Sequence, residues 1–210
     1  MIIYLIRHGQ STGNKNKAFQ GHSSIPLSET GIHQVESLKK VLQEKNVQFD
    51  VLYCSPLPRA KQSAEILKNL SKFNELIEVK EFQGINVGHW EDIKIKSVEE
   101  DFPEEYKHWK ENPKNFRFPE GESIADVLNR AKFKFYEILE NNFESKTIIG
   151  IVTHMITIKT LLIDLFGDGD LNRLWEKKFS IPNATAIIID VKKEKNTNKY
   201  AFEKNTTLQY

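Results

Sequence analysis

The feature that most constrains the fold is a regular alternation of short apolar runs with longer segments whose apolar residues recur at helical spacing. The apolar runs have the length and the β-branched content of strands. They lie at 2–6, 51–54, 147–152 and 184–191, with weaker strand signals at 77–82 and 199–203. The helical segments lie at 28–45, after Pro56, from Ser123 to about 139, and at 156–166. Such alternation predicts an α/β fold, a three-layer α/β/α sandwich with a mostly parallel sheet.

Small polar residues mark the beginning of three predicted helices. Ser28 can cap the first of them, and Glu29 adds a favourable charge in its first turn. Ser55 and Pro56 predict an N-cap followed by a first-turn proline. Ser123 predicts the start of a long amphipathic helix.

One stretch, at about 92–120, interrupts this rhythm because it is charged, aromatic and punctuated by prolines. We predict that it forms a short helical lid over one end of the sheet, with Tyr106 and Trp109 as candidates for substrate contact. A chain of 210 residues suits one domain. We therefore predict a single domain over 1–210 with this insertion.

The charge balance limits the kinds of partner. Charged residues make up 28 % of the chain, yet the net charge is only +1. Such a chain has no long-range attraction for nucleic acid or an anionic membrane, so we expect neither as a partner. Cys54 is the single cysteine, which excludes an internal disulfide and favours a reducing compartment. The first residues lack a basic signal-peptide region, and no apolar run approaches the ~18 residues of a membrane span. We expect a cytoplasmic protein.

Polar residues with compatible chemistry follow three of the predicted strands. They are Arg7-His8-Gly9, then Ser55 with Arg59, and Thr153-His154. Ligands of open α/β sheets collect outside the carboxyl ends of the strands, so these side chains are expected to meet there.

Two arginines and two histidines at one edge suit a phosphate group. The guanidinium fork pairs with phosphate oxygens, and a phosphoryl transition state spreads negative charge over three oxygens. A neutral histidine can attack phosphorus and form a phosphohistidine. The neighbouring Arg7 and Arg59 favour the neutral ring before substrate binds. The sequence therefore predicts a small phosphorylated substrate.

Six motifs occur in an order that resembles the histidine phosphatase superfamily, in its phosphoglycerate mutase-like branch. They are "LIRHGQSTGN", "PLSETGIHQ", "CSPLPRAKQSAEI", "VGHWED", "PEGESIADVLNRA" and "IVTHM". Together they cover about residues 2–155. This resemblance implies a phosphoglycerate mutase-like fold and phosphoryl transfer without a cofactor.

The resemblance also implies roles for individual residues. It implies His8 as the phosphorylated nucleophile, and Arg7, Arg59 and His154 as the phosphate pocket. It implies Asn14 as a further phosphate contact. The residues implied on the substrate side and beside the pocket are Gln20 and Gly21, and Glu122.

The chain departs from the family pattern at its proton donor. The family has a glutamate ahead of the G-x-W-E-G stretch, which protonates the leaving oxygen, and Gly84 stands in its place. Asp92 and Met155 replace glycines that the family has at two other motifs. A general acid contributes about 10²–10⁴-fold, so its loss selects against poor leaving groups without abolishing transfer.

Three explanations are open for the missing donor. Another carboxylate serves, the substrate has a good leaving group, or the protein binds a phosphate and barely turns it over. The candidate carboxylates are Glu81, Glu91 and Asp92, with the lid residues Glu99, Glu100, Asp101, Glu104 and Glu105.

The sequence favours a phosphatase that hydrolyses a phosphate monoester, at a rate that the missing donor could lower. The alternatives are a phosphate-binding regulatory pseudo-enzyme and a phosphoglycerate-type mutase, which the short lid makes less favourable. No cofactor is implied, and no metal site either, because the remaining histidines lack ligand spacing. These are His22, His33, His89 and His108.

Overall fold

A six-stranded sheet lies at the centre of the computed structural model, which describes residues 1–143, 147–194 and 199–209. Its strands are β1 (Ile2–Arg7), β2 (Val51–Cys54), β3 (Ile77–Glu78), β4 (Ile148–Thr153), β5 (Ala186–Lys193) and β6 (Tyr200–Leu208). Their order is β3-β2-β4-β1-β5-β6. The strands β1 to β4 pair in parallel, whereas β5 is antiparallel to both β1 and β6. The prediction of a mostly parallel sheet is confirmed, with one reversed strand near its edge.

Helices cover both faces of the sheet. Within the described ranges they are α1 (Thr12–Lys15), α2 (Glu29–Glu44), α3 (Pro58–Leu67), α4 (Ile95–Asp101), α5 (Pro103–Glu111), α6 (Ile124–Asn142) and α7 (Met155–Phe166). Successive side chains of a strand point to opposite faces. Ile3 and Leu5 therefore pack with the core of α6 and α7, while Tyr4 and Ile6 pack with that of α2 and α3. The predicted three-layer sandwich is confirmed.

Two predicted helix starts have the expected caps. Ser28 Oγ accepts a hydrogen bond from the Gly31 amide at 3.0 Å, and α2 begins at the next residue. Ser123 and Asp126 form a reciprocal capping box at the start of α6. These caps satisfy backbone N–H groups that have no partner inside the helix.

The prediction of a cap at Ser55 and Pro56 is wrong. Helix α3 begins at Pro58, and its N-cap, Leu57, makes no side-chain cap bond. The Ser55 hydroxyl lies 2.8 Å from His154 Nε2 and accepts a hydrogen bond from the Leu57 amide at 3.3 Å. It therefore joins a tertiary contact to a local turn that precedes α3, and it does not cap the helix.

The strand predicted at 77–82 is also shorter than expected. Strand β3 ends at Glu78, and Lys80–Phe82 form a 3₁₀ turn. Thr153 Oγ1 donates a hydrogen bond to the Phe82 carbonyl at 2.5 Å, so this carbonyl is used away from the sheet. The final strands extend further than predicted, to Lys193 and Leu208.

The 92–120 stretch is held to the body of the protein by aromatic packing. It contains α4, α5 and a 3₁₀ turn at Pro113–Asn115. The Trp109, Phe116 and Phe118 side chains are buried in the core of the α6–α7 face. The rings of Trp109 and Phe118 lie 4.9 Å apart, and those of Trp90 and Phe118 lie 5.2 Å apart. This cluster makes the stretch a packed wall beside the carboxyl edge of the sheet.

Among the described residues, no helix combines the length and apolar character that crossing a membrane requires.

Candidate active site

The carboxyl ends of β1, β2 and β4 lie level with one another. Arg7 of β1 pairs in register with Thr153 of β4, and Cys54 of β2 pairs with Val152. The residues that follow these strands therefore leave the sheet side by side. The rings of His8 and His154 are both buried, and their centroids lie 5.1 Å apart.

The His8 ring has a defined tautomer. Its Nδ1 lies 2.7 Å from the Gly9 carbonyl oxygen, which can only accept, so Nδ1 carries the hydrogen. The Nε2 atom then keeps its lone pair. Burial, followed by the charges of Arg59 and Arg7, lowers the pKa of His8 well below its usual value. The ring is therefore neutral and nucleophilic near neutral pH.

Two guanidinium groups stand beside the histidines with no carboxylate salt bridge among the described residues. Arg59, in the first turn of α3, donates from Nη2 to the Gly21 carbonyl at 2.8 Å. Arg7 donates from Nη1 to the Ile181 carbonyl at 2.5 Å. The Nε atoms of both arginines are buried and have no hydrogen-bond partner among the described residues. Burial lowers the pKa of each guanidinium to about 10, which leaves both charged at neutral pH.

Buried guanidinium groups without a paired carboxylate are costly, and an incoming anion would compensate them more fully than the charges of Glu91 and Asp92, which act on Arg59 from a distance. The second histidine also has a buried nitrogen that lacks a partner. His154 Nε2 is bonded to Ser55 Oγ, while its Nδ1 is buried and has no partner among the described residues. Burial, and then the charges of Arg59 and His8, lower the pKa of His154 well below its usual value. The four side chains together form a pocket suited to a tetrahedral anion.

The predicted substrate-side residues also line this cavity, which has a volume of about 280 Å³. Asn14 Oδ1 accepts from the Ser11 amide at 3.1 Å and from Asn183 Nδ2 at 3.2 Å, which leaves the amide nitrogen of Asn14 as the group that can donate to a ligand. Gln20 Oε1 likewise accepts from the Ser11 hydroxyl at 2.5 Å. Gly21 contributes the carbonyl that holds Arg59.

Sequence reasoning missed Asn183. Its side chain donates to both the His8 carbonyl and Asn14 Oδ1, so it connects the chain before β5 to the loop after β1. An asparagine in a turn is an ordinary surface residue by sequence, and no local pattern distinguishes this one.

Gly84 lines the cavity directly beside the second histidine. A Cβ atom at this position would lie 3.4 Å from His154 Nδ1 and 3.4 Å from Arg59 Nη2. The Gly84 carbonyl accepts hydrogen bonds from His22 Nε2 at 2.9 Å and from Arg130 Nη2 at 2.8 Å. A side chain at position 84 would therefore point at the anion pocket.

No Asp or Glu is among the described residues that line the cavity, although the charges of Glu91 and Asp92 lie close enough to Arg59 to raise its pKa against the effect of burial. Glu91 Oε1 accepts from the His22 amide at 2.6 Å, and Asp92 Oδ2 accepts from the Ser23 hydroxyl at 2.9 Å. Glu81 lies in a separate depression between β3 and α6. The lid carboxylates Glu99, Glu100, Asp101, Glu104 and Glu105 are not lining residues either.

Arg130 of α6 holds the segment that carries Gly84. Its guanidinium donates to the carbonyls of Glu81, Gln83 and Gly84 at 2.7, 2.9 and 2.8 Å. It also forms a two-pronged ion pair with Glu122, at 2.8 and 3.0 Å. Glu122, which the resemblance placed near the pocket, acts here through Arg130 on the position of the cavity wall.

The outer wall of the cavity is aromatic and comes from two regions. Tyr106, Trp109 and Lys110 of α5 line it, as does Trp175 from the 3₁₀ turn after α7. Tyr106 and Trp109 are therefore placed where the sequence suggested. Trp175, by contrast, was expected from the sequence to be an ordinary packing residue.

Comparison with known proteins agrees with this geometry. The family model of the histidine phosphatase superfamily (branch 1) matches residues 3–203. Phosphoserine phosphatase 1 of Hydrogenobacter thermophilus is 30 % identical over 196 residues, which cover 92 % of this chain and 88 % of that protein. The 2,3-bisphosphoglycerate-dependent phosphoglycerate mutase of Bartonella tribocorum is 30 % identical over 169 residues, with coverages of 79 % and 81 %. The solved structure of Bacillus stearothermophilus YhfR has a TM-score of 0.83 at 25 % identity and covers 97 % and 94 % of the two chains.

The chain therefore belongs to the histidine phosphatase superfamily, and its phosphoglycerate mutase-like fold is confirmed. Phosphatases are among its relatives, which supports phosphatase activity in this chain. Within the described ranges, no group of three or more His, Cys, Asp or Glu side chains is arranged to hold a metal ion.

Proposed function

We propose that this protein hydrolyses small phosphate monoesters through a phosphohistidine on His8. The observation that carries the proposal is the pair of buried histidines beside two buried guanidinium groups whose Nε atoms have no hydrogen-bond partner among the described residues. The similarity to a phosphoserine phosphatase supports hydrolysis as the outcome.

In the first step, the lone pair of His8 Nε2 attacks phosphorus and the bond from phosphorus to the ester oxygen breaks. The electron pair of that bond leaves with the oxygen. Arg7, Arg59 and His154 stabilise the three equatorial oxygens, and the Asn14 amide adds a further donor. The hydrogen bond from Nδ1 to the Gly9 carbonyl stabilises the positive charge that develops on the ring.

In the second step, water attacks phosphorus and the bond from Nε2 to phosphorus breaks. The products are inorganic phosphate and the neutral His8 ring, so the cycle needs only water as a second reactant. A cofactor has no part in either step.

Because no Asp or Glu is among the described residues that line the cavity, we expect the leaving oxygen to take its proton from solvent or to leave as an anion. Aryl phosphates, whose phenolate is a stable anion, are therefore expected to be better substrates than alkyl phosphates. This same observation favours one alternative, a protein that binds a phosphorylated ligand and turns it over slowly.

Release of inorganic phosphate from 4-nitrophenyl phosphate tests the proposal. We expect turnover by the wild type, an acid-labile and base-stable phosphoenzyme on rapid quenching, and loss of both in His8→Ala. His33→Ala, in an exposed side chain on α2, is the matched control and is expected to retain both. Near wild-type turnover in His8→Ala would rule out this nucleophile, and tight phosphate binding without turnover in the wild type would favour the binding protein.

A further inference from the structure

Asn183 lies just before β5 and is not among the described residues that line the cavity, yet it contacts two residues that are. Its Nδ2 donates to the His8 carbonyl at 3.1 Å and to Asn14 Oδ1 at 3.2 Å. Both partners are oxygens, and Asn14 Oδ1 also accepts from the Ser11 amide at 3.1 Å. The nitrogen of the Asn183 side chain must therefore face them, and both of its hydrogens are used.

The turn that carries Asn183 has a backbone conformation that few residues adopt. Ala184 is fully buried and has a φ of 50°, in the left-handed region that favours glycine. The Ala184 amide donates to the same His8 carbonyl at 3.1 Å, and the Arg7 amide donates to the Thr185 carbonyl at 2.9 Å. Backbone strain of this kind persists only where the surrounding structure enforces it, and it is concentrated at functional sites. The strained turn directs the Asn183 side chain at the end of β1.

The His8 carbonyl that Asn183 holds belongs to a peptide group that is fixed at both ends. Its oxygen accepts from Asn183 and from the Ala184 amide. Its N–H, which is that of Gly9, donates to Ser63 Oγ at 3.1 Å. The Gly9 carbonyl in turn accepts from His8 Nδ1 at 2.7 Å. The orientation of this peptide group therefore helps to place the acceptor that defines the His8 tautomer.

The contact with Asn14 decides which end of the Asn14 amide faces a bound phosphate. Asn14 lines the cavity, and its nitrogen can donate to a phosphate oxygen while its Oδ1 is turned to the N–H groups behind it. In the reversed orientation, the Asn14 nitrogen would meet the donors of Ser11 and Asn183, and its oxygen would face the anion. Loss of Asn183 removes one of these two donors, so the reversed orientation becomes less unfavourable.

We propose that Asn183 is a positioning residue for phosphoryl transfer, which fixes the Asn14 amide so that its nitrogen donates to the phosphate. This inference rests on the proposed function, because Asn14 donates to the same phosphate that His8 attacks. Asn183 acts through Asn14, since its own side chain is used behind the cavity wall. Its effect on phosphate binding should therefore depend on the presence of the Asn14 amide.

A double-mutant cycle tests this dependence without any turnover. The Kd of inorganic phosphate is measured by calorimetry for the wild type, Asn14→Ala, Asn183→Ala and the double variant. We expect Asn14→Ala to weaken binding about twentyfold, because it removes a hydrogen bond to a charged group, and Asn183→Ala to weaken it about fivefold. The double variant is expected to lose about twentyfold, whereas independent effects would give about a hundredfold loss.

Asn205→Ala is the matched control, because Asn205 is an exposed residue of β6 that donates to Asp190, and its Kd is expected to stay at the wild-type value. Asn183→Asp repeats the cycle should alanine prevent folding, because an ionised carboxylate has the same shape as the amide and cannot donate. Its combined loss with Asn14→Ala is again expected to be smaller than the product of the two single losses. Urea unfolding of each variant checks that it is folded.

A double variant whose loss equals the product of the single losses would overturn the positioning role, and so would wild-type affinity in Asn183→Ala. Hydrolysis of 4-nitrophenyl phosphate by the wild type reports on the proposed function separately. Turnover with independent losses would therefore refute only the role of Asn183, and coupled losses without turnover would refute only the hydrolysis.

Discussion

Replacing Gly84 with glutamate would put a carboxyl group where the family pattern has its proton donor. The Gly84 backbone is already held by Arg130 and His22, so the new side chain would start from a defined point. Its Cβ would lie 3.2 Å from His154 Cγ and 3.4 Å from Arg59 Nη2. We expect the carboxyl group to reach the leaving oxygen of a phosphate held in this pocket.

The cost to stability is expected to be small. A contact of 3.2 Å requires its neighbours to move by a few tenths of an ångström, and such overpacking costs about 1 kcal/mol at its mild end. For a chain of this size, that lowers Tm by roughly 2–4 °C. The gain in rate is larger, because a positioned general acid contributes about 10²–10⁴-fold. The new carboxyl group has no neighbours selected to orient it, so we expect a smaller gain in kcat, about tenfold on alkyl phosphates.

The assay compares kcat for an alkyl phosphate and for 4-nitrophenyl phosphate in the wild type, Gly84→Glu and Gly84→Gln. Glutamine has the same shape and cannot act as an acid. We expect only glutamate to accelerate the alkyl substrate, with less than about threefold change on the aryl one. The gain should increase as the pH falls, because the carboxyl group must be protonated to donate and the Arg59 charge favours its ionised form. An equal effect of glutamine and glutamate, or no gain in a variant that still binds phosphate, would refute the reasoning.

Two further predictions concern one buried and one partly buried cation. Burial lowers the pKa of Lys159 to about 8 in the folded chain, against 10.5 unfolded, so the unfolded state binds more protons between these values and stability rises with pH there. Between pH 7.5 and 9.5 the wild type should gain about 2 kcal/mol of unfolding free energy relative to Lys159→Met, as measured by urea unfolding; parallel pH profiles would contradict the assigned pKa. Arg130→Lys should lose about 2 kcal/mol, because lysine cannot reproduce the ion pair with Glu122 and three carbonyl bonds. Arg130→Lys should also lower kcat on 4-nitrophenyl phosphate, by about tenfold more than the exposed control Arg117→Lys does. Equal losses of kcat in the two variants would contradict the role of Arg130 in positioning the cavity wall.

The wrong prediction of an N-cap at Ser55 shows that sequence rules for helix capping fail where a side chain has a tertiary partner. Serine before proline at the end of a strand satisfies every capping criterion, and the same criteria were correct for Ser28 and Ser123. Ser55 differs because β2 and β4 pair in register and bring His154 within 2.8 Å of its hydroxyl. The hydroxyl then bonds to the imidazole while it accepts from the Leu57 amide ahead of the helix, and nothing in the neighbouring sequence indicates the contact with the imidazole.

The proton donor is a second example. By sequence, Glu81, Glu91 and Asp92 are near Gly84 and each can be imagined in its place. In the structure, Glu91 and Asp92 are bonded to the loop at 22–23, and Glu81 lies in another depression. Proximity along the chain does not decide which side of a turn a side chain takes, because hydrogen bonds to distant segments do.

The sequence by itself determined the order of strands and helices, the three-layer fold, and the residues that follow the strands, because periodicity and strand ends are local properties of the chain. Only the tertiary structure decided that Gly84 faces His154, that the cavity has no carboxylate among its described residues, and that Lys110 and Lys159 flank Trp175. These contacts join segments far apart in sequence. They therefore depend on the register of the sheet and on how α5 and α7 pack in the folded protein. Side-chain environments are set by that packing, and no pattern within a single segment encodes them.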